Sequence, residues 1–100
     1  MKIYDKAAWQ IDGGVKEKDV IEHFKFMYGW LESKGFLSAN GKEIMGVGID
    51  AECSLTDRNV TAEGKKFLDK YYDEYVKRID YGKKEDKALL NKLWSGHSLD

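Results

Sequence analysis

The sequence predicts a mainly α-helical protein, a compact bundle of three to four helices with an irregular or short-strand segment around residues 46–59. Two amphipathic runs and one compositional fact carry this expectation. From Thr61 to Asp80, the residues Leu68, Tyr71, Tyr72, Tyr75, Val76 and Ile79 recur at the spacing of one helical face, and Phe67 widens it. From Lys16 to Lys34, Val20, Phe24, Met27 and Leu31 form a stripe with Ile21 and Tyr28 beside it. The chain contains no proline, so caps and glycines must set the helix ends.

Met1 to Gly14 reads as an arm. Its apolar residues follow no sustained period, and Asp12-Gly13-Gly14 is a turn signal. Ile3 marks a candidate edge strand, and Trp9 and Ile11 are expected to pack across the helices and pin the N-terminus. The helix over Lys16 to Lys34 stops at Gly35, after which Phe36 packs back on its last turn. Gly29 lies on its polar side and costs about 1 kcal/mol relative to alanine.

A short helix follows from Ser38 to about Gly46. Its opening, Leu37-Ser38-Ala39-Asn40-Gly41-Lys42-Glu43-Ile44-Met45, lines up with Val60-Thr61-Ala62-Glu63-Gly64-Lys65-Lys66-Phe67-Leu68. In both, a hydroxyl residue stands where it can accept from the orphan amides of a first turn. The match is too short for a repeat protein and reads as two similar helix starts. Gly46 to Asn59 is the irregular part, with a short strand expected at Cys53–Thr56. The helix capped by Thr61 ends at Gly82, and opposite charges stand four apart on its outer face at Lys65–Asp69, Lys70–Glu74, Asp73–Lys77 and Glu74–Arg78. A last helix is expected over Lys83 to Trp94. Residues 1–94 then form one globular domain and 95–100 a flexible tail.

Composition bounds the function classes. One hundred residues make about one domain. Thirteen aromatics, 42% apolar and 35% charged residues argue against disorder and for a helical domain with charged outer faces. The net charge of −1 supplies no basic field, so neither a nucleic acid nor an anionic membrane is the expected partner. The single cysteine permits no intrachain disulfide. The opening residues lack the apolar run of a leader, and no stretch reaches membrane-spanning length, so a cytoplasmic, soluble protein is expected.

The motifs that suggest chemistry lack its context. Gly46-x-Gly48-x-x-Ala51 has the letters of a dinucleotide fingerprint but follows a helix instead of a strand. Cys53 needs a base beside it to act as a nucleophile, and the histidines are His23, in a helix, and His97, in the tail. Asp50, Glu52 and Asp57 lack calcium-loop spacing. Asp69 and Asp73 each have a lysine four residues away. Tyr71, Tyr72 and Tyr75 fall on an apolar face and read as core, not as a stacking platform for bases. No catalytic residue, metal ligand or cofactor is therefore expected.

One feature points to a partner. His23, Phe26 and Trp30 form a second stripe, so the first long helix is apolar over well more than half its circumference. Either the N-terminal arm or the last helix covers this stripe, or the three residues are the anchors of a docking surface for another protein.

Two resemblances bear on that choice. Val60 to Leu68 resembles the strand-to-helix step after the wing in winged-helix regulators, which implies DNA binding through a recognition helix ahead of the wing. Here that helix offers Lys42 as its one basic residue. In size, balanced charge, lack of a catalytic motif and aromatic-rich helices, the whole chain is similar to small bacterial immunity proteins, which neutralise a toxin by binding it. The expected function is accordingly a non-catalytic module that binds another protein, a toxin or a second copy of itself, with DNA-binding regulation as the alternative.

Overall fold

The structure is a computed structural model that describes residues 1–78 and Lys92. Among the described residues the order is β1 (Ile3–Lys6), α1 (Ala7–Asp12), α2 (Glu17–Ser33), α3 (Ala39–Val47), β2 (Ser54–Thr56), a 3-10 turn (Asp57–Asn59) and α4 (Ala62–Arg78). The fold is mainly helical, with a two-stranded antiparallel sheet. Of the helix expected over Lys83 to Trp94 only Lys92 is described, and the 95–100 tail lies outside the described residues.

The helix at the centre is α2. Its buried residues are Val20, His23, Phe24, Met27, Tyr28, Trp30 and Leu31, which at 100° per residue span an arc of about 160°. An apolar arc wider than a single stripe needs more than one neighbour to cover it. Here α4 takes one side, where Trp30 meets Phe67 with ring centroids 5.1 Å apart and His23 stacks on Tyr75 at 5.8 Å. The sheet takes another, where the Tyr28 hydroxyl donates to the Ser54 carbonyl at 2.6 Å. The tyrosines of α4, Tyr71, Tyr72 and Tyr75, are buried, as expected for a core face.

The arm is more ordered than its sequence suggests. Residues 7–12 form a helical turn and a half that ends where Gly13 and Gly14 follow, Gly14 with φ +102°. Six residues are too few for periodicity to register. Ala7 is fully buried and Ile11 partly so. Trp9 does not pin the arm as expected. It remains 52% exposed, with the Lys6 ammonium 5.7 Å from its ring.

The candidate strands at Ile3 and Cys53–Thr56 pair with each other across some fifty residues. The register runs Ile3 to Thr56, Asp5 to Leu55 and Lys6 to Ser54, with a bulge between Ile3 and Asp5. A bulge breaks the alternation of faces. Tyr4 and Asp5, adjacent in sequence, therefore both reach α4. The Tyr4 hydroxyl donates to Asp69 at 2.6 Å, and the buried Asp5 carboxylate accepts from the Tyr72 hydroxyl at 2.8 Å and from Gln10 Nε2 at 3.0 Å. Lys2 and Lys65 complete the Asp69 cluster at 2.9 and 2.8 Å.

The two similar helix starts are partners in space. Leu37 and Val60 form an antiparallel bridge. Across it the Ser38 amide donates to the Asn59 carbonyl at 3.0 Å, and the Thr61 amide donates to the Phe36 carbonyl at 2.8 Å. Each hydroxyl then caps its own helix, Ser38 Oγ accepting from the Gly41 amide and Thr61 Oγ1 from the Gly64 amide, both at 3.2 Å. The glycine three residues into each helix lies against the carbonyl of the opposite segment that accepts from its own helix's capping residue, Asn59 for Gly41 and Phe36 for Gly64.

Candidate functional site

Two of the three sequence-predicted docking residues are buried. His23 is 4% and Trp30 6% exposed, and Phe26 is partly buried against the same core. Trp30 is covered by Phe67 of α4 and by Phe36, the residue that folds back after Gly35. The stripe is surplus only if a single face of the helix meets the core. In the fold α4 occupies the second face, so His23 and Trp30 are interior side chains and not open anchors. Burial pushes the His23 imidazole down to about 4, against an opposing pull from the Asp5 carboxylate.

Cys53 and His23 have different neighbours. The Cys53 thiol sits beside the Tyr28 phenol and donates to the Ser54 carbonyl at 3.6 Å, whereas His23 lies against Tyr75 and Phe24. Burial raises the pKa of the Cys53 thiol, which keeps it protonated and poorly nucleophilic. No group of three or more histidine, cysteine, aspartate or glutamate side chains suited to a metal ion occurs among the described residues. Gly48, from the apparent dinucleotide fingerprint, ends α3 with φ +121° and no strand before it.

What the fold leaves open is a groove between α3 and the segment leading into β2, with a volume of about 340 Å³. Its helical wall runs along α3 from Asn40 through Glu43 and Ile44 to Val47, about one turn between successive steps. Its other wall carries Asp50 and Glu52, and Cys53 and Ser54 form the end against the sheet. Val47 is 84% exposed, more than any other large apolar side chain described. Gly46 and Gly48 flank it, so no neighbouring side chain shields it. The loop is shaped by an Asx turn, in which Asp50 Oδ1 accepts from the Glu52 amide at 2.9 Å. Three carboxylates thus border an apolar lip, and no lysine, arginine or histidine is among the lining residues. Such a surface can hold a ligand by contact and by charge, but it contains no nucleophile–base pair.

No protein family, curated protein or solved structure matches this chain. No helix among the described residues is long and apolar enough to cross a membrane.

Proposed function

We propose that this protein is a non-catalytic binding module whose partner is another protein, and that contact is made at the α3–β2 groove. The observation that carries the reading is Val47, a large apolar side chain left 84% exposed on the rim of a concavity. A singly exposed apolar side chain is ordinary on a monomer, and what sets Val47 apart is that it borders a concavity together with Ile44. In the aromatic stripe of α2, the other candidate surface, His23 and Trp30 are buried in the core and Phe26 is partly buried against it.

DNA binding finds less support. Helix α3, the counterpart of a reading helix, sets Lys42 against Glu43, and the neighbouring loop adds Asp50 and Glu52. Phosphates would be repelled there. A cytoplasmic setting agrees with the single, protonated Cys53.

The test is capture of the partner by tagged wild-type protein and by Val47→Asp, with unfolding measured on both. An exposed substitution leaves stability within about 0.5 kcal/mol. The reading requires that Val47→Asp keep its stability and lose the partner. Equal capture by both proteins refutes it.

A further inference from the structure

From the charge of the groove we infer the kind of side chain it takes: an arginine or lysine of the partner protein, its aliphatic stem on Val47 and Ile44 and its cationic head among Glu43, Asp50 and Glu52. This inference rests on the protein-binding reading above and deepens it.

The lining is chemically one-sided. It presents three carboxylates and no cation, and the ion pairs Lys2–Asp69 and Lys65–Asp69 are formed elsewhere. Lys42, also on α3, is not part of the lining. A carboxylate trio of this kind repels acidic partners and favours cationic ones. The apolar lip argues against a bare ion, because a hydrated cation gains nothing from Val47 or Ile44. A long side chain with an apolar stem and a charged end matches both halves of the groove. The volume, about 340 Å³, is at the lower end of the range for small-ligand sites and suits one such side chain. The Asx turn fixes one Asp50 oxygen on the Glu52 amide, which holds that wall in place before the partner arrives.

The probe is a set of three peptides, acetyl-Leu-Arg-Leu amide and its citrulline and glutamate counterparts, titrated into isotope-labelled full-length protein. Citrulline keeps the size of arginine and removes its charge. The inference predicts that the arginine peptide shifts the amide resonances of Val47, Gly48 and Ser54 saturably. It also predicts that the citrulline peptide binds about fivefold more weakly, and that the glutamate peptide binds more weakly still. The preference must vanish in Glu43→Gln/Glu52→Gln, whose substituted side chains are exposed. Equal binding of arginine and citrulline peptides overturns the inference, as does a preference that survives in the double variant or an absence of shifts at the groove. The protein-binding reading is judged separately. If the captured partner is lost from Val47→Asp but retained by Glu43→Gln/Glu52→Gln, the cationic occupant is wrong and the docking site stands.

Discussion

Gly41 of α3 and Gly64 of α4 occupy equivalent places in a crossed pair of helix starts. A methyl group on Gly41 would be driven into the Asn59 carbonyl oxygen and would lie 2.9 Å from Leu37 Cδ2. A methyl group on Gly64 would lie 2.8 Å from the Phe36 carbonyl oxygen and 2.9 Å from Val60 Cβ. Two helices can begin side by side on the Leu37–Val60 bridge because neither carries a side chain there. Gly41→Ala is expected to cost about 2–4 kcal/mol and Gly64→Ala about 1–3 kcal/mol, in that order, although alanine is the better helix former. Urea unfolding of the two variants checks the order.

Gly29 is the contrast. It lies in α2, a methyl group placed on it would meet nothing within 4 Å, and its φ is not positive. Gly29→Ala should raise stability by about 0.5–1 kcal/mol in the same assay.

Trp30 behaves as core. Trp30→Ala removes a ring enclosed by Phe36 and Phe67 and should cost about 3–5 kcal/mol. Phe26→Ala, at a partly buried position, should cost less. Equal and negligible losses in both would mean that the stripe stands open.

His23 makes stability depend on pH. Its folded pKa lies at about 4, below the ordinary 6.5, because burial disfavours the charged ring. Between these values the unfolded chain binds more protons, so stability falls as pH drops from about 6.5 to 4 and this contribution is flat outside that window. The full loss approaches about 3 kcal/mol. The groups facing the ring include Tyr75, Phe24 and the Asp5 carboxylate. Unfolding of wild type and His23→Leu at pH 7 and pH 4.5 checks the sign: the variant should lose much less stability on acidification.

The bulge at Tyr4 also has a measurable consequence. Tyr72→Phe removes the hydroxyl donated to the buried Asp5 carboxylate and should cost about 1.5–3 kcal/mol, as for a hydrogen bond to a charged acceptor. An unfolding midpoint unchanged from wild type would place that bond outside the stabilising set.

The long helices are legible in the sequence because their apolar spacing is local information. Ser38 and Thr61 are legible as caps for the same reason. The pairing of those two starts is not, since the Leu37–Val60 bridge joins residues more than twenty apart, though the shared glycines are its trace. The β1–β2 pairing is more distant still, and α1 is too short to show a period. The stripe of His23, Phe26 and Trp30 shows as excess apolar circumference, but a helical wheel cannot say how many neighbours a helix will have. The groove is hidden in the least periodic stretch. Val47 between two glycines, with Asp50 and Glu52 close behind, is its signal, and carboxylates in such a loop suggest a metal ion before they suggest a groove wall.

The central claim is that contact with a partner is made at Val47 and not at the aromatic stripe of α2. A photo-reactive benzoylphenylalanine placed at position 47 and, separately, at position 26 tests it most directly. The account predicts a cross-linked partner from position 47 and none from position 26. An adduct from position 26 with none from position 47 would contradict it.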